Sequence, residues 1–254
     1  MGCIIEARDV RVILNGKVIL NDINFKVEPG KVFTIVGPNG AGKTTLLKAL
    51  AGIVHIASGT IKVCGYDVTS GSASSVIGYA PASITIDPWC KVIDALIAAR
   101  YGISNTFLPT TEDYKEAYRV SEILGITHLL QRYVGSLSSG EGKLVLIASA
   151  LVRGPKVLLL DEPLAFLDVR NQALIMRLLR ELSRRGLTII TTSHELHLVS
   201  TYSDEVMLLN KGRIVTVGKP NEVLRKDLLE IIYGTKLIDI ERADQKILIP
   251  TAKD

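Results

Sequence analysis

A chain of 254 residues, 47% apolar and 22% charged, carries enough hydrophobic material for a sizeable core, which excludes a disordered tail protein and a disulfide miniprotein. Lysine and arginine number 30 against 26 acids, and the net charge of +4 is too small and scattered to point to nucleic acid. The three cysteines, Cys3, Cys64 and Cys90, are odd in number and far apart; they predict a reduced, cytosolic protein with neither a disulfide framework nor a zinc site.

In chain order, Met1 to Val10 carries Glu6, Arg8 and Asp9 and lacks the apolar core of a signal peptide. Glu6 also stands where a myristoylation motif needs Ser or Thr. No window reaches the ~18–20 apolar residues of a membrane span. A mean hydropathy of +0.29 still implies apolar surface that faces a partner. Val10 to Leu14 and Lys17 to Leu20 flank Asn15-Gly16, a two-residue hairpin signal in which both positions accept positive φ. Asn24 to Val27 and Lys31 to Val36 read as strands, the second entering a glycine-rich loop, and Ser58 to Val68 reads as another hairpin.

From Trp89 to Leu151 the spacing turns helical, with Val92, Leu96 and Ala99 on one stripe and Val120, Ile123 and Leu124 on another. Val157 to Leu160 is a continuous apolar run, as expected of a strand buried on both faces of a parallel sheet. A long amphipathic helix follows, with Asp168 as N-cap, a stripe of Leu174, Ile175, Leu178, Leu179 and Leu182, and Gly186 as its stop. Leu187 to Thr192 is the next strand, and Glu205 to Leu209 with Ile214 to Val217 forms a hairpin about Lys211-Gly212. The expected architecture is α/β with a mostly parallel sheet. Residues 1–82 hold a β subdomain and the glycine loop, and 83–151 an inserted helical subdomain. Residues 152–219 return to the core, and 220–254 form a C-terminal tail.

Gly37-Pro38-Asn39-Gly40-Ala41-Gly42-Lys43-Thr44 fits the pattern G-x-x-x-x-G-K-[ST], and Thr45 continues into a helix. Glycines let backbone N–H groups converge on phosphate oxygens, Lys43 reaches the outer phosphates, and the Thr44 hydroxyl is a Mg²⁺ ligand. An ordinary glycine turn is the bland alternative, yet the strand before and helix after this loop supply the required context. Asp161-Glu162 ends the buried apolar run, where a P-loop protein places a Mg²⁺-holding Asp, and Glu162 beside it is a general-base candidate for an attacking water. His194 follows a strand of the same sheet, so all three segments fall at the carboxyl ends of strands.

Together these residues resemble the ATP-binding subunits of ABC transporters over nearly the whole chain. Leu137-Ser138-Ser139-Gly140-Glu141 resembles the family signature Leu-Ser-Gly-Gly-Gln, with Ser139 for the first glycine and Glu141 for the glutamine. The resemblance implies a P-loop NTPase core that hydrolyses ATP with Mg²⁺. It also implies a dimer, with a second copy or a paralogous ATPase, in which Ser138 to Glu141 face the γ-phosphate held by the other subunit. Asp168 matches the D-loop acid, and His194 matches the switch histidine that contacts the γ-phosphate. Two positions depart from the family: Leu14 lies near the aromatic that stacks on adenine, with Tyr66 as a substitute, and Ala82 lies where a Mg²⁺-holding glutamine belongs.

Asn221 to Leu224 followed by Leu229 to Gly234 resembles importer subunits for iron chelates, haem and cobalamin. The implied partner is a polytopic membrane permease, docked about Ile84 to Leu108 through Trp89, Ile93, Ile97, Tyr101 and Phe107, with the chain peripheral on the cytoplasmic face. A soluble assembly ATPase of the same fold and a slow nucleotide-gated module are the alternatives. A translation or DNA-repair ATPase is disfavoured, because there is one cassette and no long coiled-coil insertion.

Overall fold

The computed structural model describes residues 2–83, 86–101, 108–242 and 245–250, from 238 onward as backbone only. Strands β1 (Ile5–Leu14) and β2 (Lys17–Val27) form the first hairpin. Its turn residues take φ of +49° at Asn15 and +74° at Gly16, the conformation that the Asn-Gly pair favours. Strand β3 (Val32–Val36) runs into the glycine loop and helix α1 (Lys43–Leu50), after which β4 (Ser58–Val63) and the short β5 (Tyr66–Asp67) make the second hairpin. An antiparallel sheet of order β2-β1-β4-β5 results.

Register decides the fate of two cysteines. Strand β1 pairs β4 with Ile5 opposite Val63, which carries Cys3 and Cys64 to the same sheet end. The Cys64 N–H donates to the Ile4 carbonyl at 2.9 Å, and Cys3 and Cys64 are joined in a disulfide with Cα atoms 4.4 Å apart. The expectation of three reduced cysteines is corrected here: a separation of 61 residues in sequence is closed by strand pairing, and Cys90 alone stays free among the described residues. A bridge closing a loop of this length is worth about 2–4 kcal/mol through the unfolded chain. Reduction is therefore expected to lower the melting temperature, and a Cys3→Ser chain melting at the wild-type temperature would speak against the bridge.

The second sheet is built from β3 with β6 (Ile77–Ala80), β7 (Val157–Leu160), β8 (Thr188–Ser193), β9 (Glu205–Asn210) and β10 (Arg213–Gly218). Its order is β10-β9-β3-β8-β7-β6, parallel throughout except for the β9–β10 hairpin. Every residue of β3, β7 and β8 is buried, which accounts for their unbroken apolar or Thr-rich composition. Between β6 and β7 the chain inserts α2 (Val92–Ala99), α3 (Thr111–Ile123) and α4 (Ser139–Leu151). Their apolar stripes share one core with the underside of the sheet, where Val92, Leu96, Val120 and Leu160 meet.

A buried ion pair orders this insertion: Arg100 donates to Asp113 at 2.8 Å and to the Val152 carbonyl at 2.7 Å. Bonds from the Arg100 guanidinium and from Thr110 hold the Asp113 carboxyl down to about 2.

Helix α5 (Val169–Arg184) is capped by Asp168, which accepts the Asn171 N–H at 2.8 Å. Ile175, Leu178, Leu179 and Leu182 are buried as the stripe requires, whereas Leu174 sits at the stripe's margin and is 43% exposed. Helix α6 (Leu196–Tyr202) precedes β9, and α7 (Pro220–Val223) and α8 (Lys226–Tyr233) follow β10. Val36, Val199, Val206, Leu208, Val223 and Leu229 form a third apolar cluster beneath them. A final hairpin, β11 (Leu237–Arg242) with β12 (Gln245–Pro250), falls within the C-terminal tail of residues 220–254.

Candidate active site

The glycine loop leaves the carboxyl end of β3 and takes its shape from close backbone packing. At Gly37, with φ of +152°, a Cβ would lie 2.0 Å from the Leu209 carbonyl oxygen. At Gly42, which caps α1 with φ of +104°, it would meet Leu20 at 2.8 Å. Neither position admits a side chain. The tip of the β9–β10 hairpin braces the loop from outside, the Gly212 N–H donating to the Ala41 carbonyl at 3.0 Å. Burial pushes the phenol of Tyr233, on α8, up to about 12.

Lys43, 6% exposed, folds its ammonium over the loop and donates to the carbonyls of Gly37 at 2.7 Å and Pro38 at 3.1 Å. Burial pulls its pKa down, and the charges of Glu162 and Asp161 oppose that shift. The Thr44 hydroxyl donates to Asp161 at 3.2 Å, and the Thr192 hydroxyl donates to the same carboxylate oxygen at 2.6 Å. One hydroxyl from α1 and one carboxylate from the end of β7 thus stand side by side, an all-oxygen pair suited to a hard divalent cation that also takes phosphate oxygens.

Glu162 has φ of +48°, a left-handed conformation that costs a non-glycine residue about 1–2 kcal/mol. Its N–H donates to the Thr192 hydroxyl at 2.9 Å, and its carboxylate lies 3.2 Å from His194 Nδ1. The expected grouping of Lys43, Thr44, Asp161, Glu162 and His194 is therefore found at the carboxyl ends of β3, β7 and β8. A cleft of ≈ 330 Å³ opens beside them, lined by Asn39 to Thr45, Glu162 and Ile19.

Ile19 is the apolar wall that sequence reasoning missed; Leu14 does not line the cleft. Tyr66 cannot substitute as an aromatic plate for a base. It pairs with Val63, and Val63 with Ile5, at the opposite end of β1 from Leu14. Nine residues of strand, about 30 Å, separate them.

Ser138 is the N-cap of α4, where its hydroxyl accepts the Glu141 N–H at 3.3 Å. Glu141 returns the contact, accepting from the Ser138 N–H at 2.8 Å and from Arg132 at 3.2 Å. The Ser138 N–H and hydroxyl hold the Glu141 carboxyl below the usual carboxylate range. Ser139 opens α4 beside this cap. Gly140 packs so closely on Asn171 that a Cβ would meet its amide at 2.5 Å, and that amide donates to Asp168 at 2.9 Å. The signature segment and Asp168 are thus one connected surface, and none of these residues lines the cleft of Lys43 and Glu162.

Ile93 and Ile97 of the expected docking stretch are buried core, while Trp89 is 82% and Tyr101 61% exposed; Ile84 and Phe107 lie outside the described residues.

Residues 20–165 match the family model described as ABC transporter. The manganese transport system ATP-binding protein MntA of Synechocystis is 34% identical over 87% of this chain and 85% of its own length. The zinc import ATP-binding protein ZnuC of Halorhodospira halophila is 36% identical over 92% of this chain and 84% of its own. A solved metal-chelate type ABC transporter, in an inward-facing conformation, superposes with a TM-score of 0.87 at 27% identity, covering 99% of each chain. With the phosphate loop, the paired carboxylates and the histidine assembled on this fold, the chain belongs to the ABC transporter family as an ATP-binding domain of the kind that hydrolyses ATP to power transport.

Proposed function

We propose that the chain is the ATPase subunit of an importer for a metal ion or metal chelate. It works as a dimer about two Mg-ATP and docks on the cytoplasmic face of a polytopic permease. The observation that carries this reading is the convergence of Lys43, Asp161, Glu162 and His194 at one end of the sheet, on a chain whose relatives are named for manganese and zinc transport. No helix among the described residues is long and apolar enough to cross a membrane.

In this reading the loop N–H groups and Lys43 bind and orient the phosphates. Thr44 and Asp161 would hold Mg²⁺, which supplies charge neutralisation at the phosphate end. Glu162 accepts the proton of the attacking water, and His194, 3.2 Å away, fixes the direction of that carboxylate. Ser138, Ser139, Gly140 and Glu141 serve the ATP of the opposite subunit, with Asp168 holding the signature segment through Asn171. Ile19 gives the base only apolar contact, so affinity rests on the phosphates.

For the permease we favour the groove of ≈ 240 Å³ between α1, β6 and α4, whose rim carries Ile53, Tyr79 and Arg153. Recovery of a polytopic membrane protein with the affinity-tagged chain, from source membranes in mild detergent, is the expected result. A soluble scaffold recovered in its place would overturn the transport reading.

A further inference from the structure

Ala82 has no side-chain group to offer the site, yet its carbonyl is engaged. Lys143, on α4 two residues past Glu141 of the cap, donates from Nζ to the Ala82 carbonyl and, at 3.0 Å, to the Glu162 carbonyl. The lysine is half-buried, and the void beside it is ≈ 10 Å³, bounded by Pro81, Leu146, Leu160 and Pro163, which leaves room for about one water. Asp161 and Glu162 attract the ammonium through space, without an ion-pair contact among the described residues. The charge is therefore held by two backbone carbonyls from two different loops.

Those loops are the ones that matter to hydrolysis. One leaves β6 at the position where the resemblance calls for a glutamine. The other carries Glu162 at its left-handed φ, fastened on its N–H side by Thr192 and on its carbonyl side by Lys143. Removing the carbonyl-side tie leaves the strained residue held from one side only.

We propose that Lys143 is a positioning residue for Glu162: it clamps the Ala82 loop to the carboxylate loop and links both to the signature helix, a task that a side chain at 82 cannot perform here. The inference rests on the proposed role of Glu162 in hydrolysis. Motion of α4 would then reach the carboxylate directly, through one side chain.

The test compares Lys143→Met, which keeps the stem and removes the donors, with Lys143→Gln, which restores neutral donors. Steady-state ATP hydrolysis is read beside binding of a fluorescent ATP analogue, melting temperature, and hydrogen exchange of segments 79–83 and 159–166 without nucleotide. Misplacement of a catalytic group by about 1 Å is worth roughly 100-fold. We expect Lys143→Met to lose ten- to a hundredfold in kcat with analogue affinity within twofold of wild type. Exchange should rise in both segments, and Lys143→Gln should recover part of each effect. Wild-type kcat in Lys143→Met, a parallel loss of affinity, or unchanged exchange in the two segments would each overturn the proposal. Normal turnover in a Glu162→Gln chain would instead overturn the role of Glu162, and the exchange measurement would still decide the clamp.

Discussion

Glu162→Gln is expected to abolish ATP hydrolysis while leaving nucleotide binding intact. Glutamine keeps the size and planarity of the side chain, and its amide can present either oxygen or N–H to His194 Nδ1, so the 3.2 Å contact survives. What is lost is the capacity to accept a proton from water, worth about 10²–10⁴ in rate, or about 3–5 kcal/mol. Backbone geometry at φ of +48° is maintained by bonds to main-chain atoms, which the substitution does not touch. With hydrolysis blocked, the ATP-bound dimer should accumulate, and gel filtration with Mg-ATP should find a dimer where wild type gives a transient one. A mutant that turns over normally would remove Glu162 from the chemistry.

Lys43→Ala should fail in a different way. Its ammonium is the buried cation at the mouth of the loop, and its loss removes a charge-assisted contact to phosphate together with the tie to the Gly37 and Pro38 carbonyls. A loss of about 3–4 kcal/mol of transition-state stabilisation is expected, so hydrolysis falls to background. Nucleotide affinity should fall as well, in contrast to Glu162→Gln. Measuring turnover and binding on both variants separates an orienting cation from a base, and wild-type turnover in Lys43→Ala would refute the assignment of the phosphate site.

The phosphate loop is legible in the sequence because its constraints are local: glycines at places where a Cβ collides, a lysine, and a hydroxyl at a helix start. Asp161, Glu162 and His194 are legible for a related reason, since buried parallel strands are continuous apolar or Thr-rich runs and their ends mark one edge of the sheet. Contacts made by topology are not legible in this way. Cys3 and Cys64 meet only because β1 pairs with β4, and Lys143 meets Ala82 and Glu162 only once α4 lies across two loops. Tyr66 looks available as an aromatic near the loop until strand register carries it to the far end of the sheet. The last hairpin is not legible in this way either, because no glycine or asparagine stands in the sequence from Leu237 to Pro250 to announce a tight turn.

The disulfide has a topological meaning apart from its stabilising effect. Cys3 and Cys64 enclose residues 4–63, so β1, β2, the whole phosphate loop and α1 lie on one covalent ring. The Asn15-Gly16 turn sits on that ring and is exposed. A chain opened there would remain a single molecule, its new ends held in register by the bridge on one side and the sheet on the other. New termini, a fluorophore or a tether to a surface could therefore be placed at this turn with the nucleotide loop still inside one unbroken covalent path.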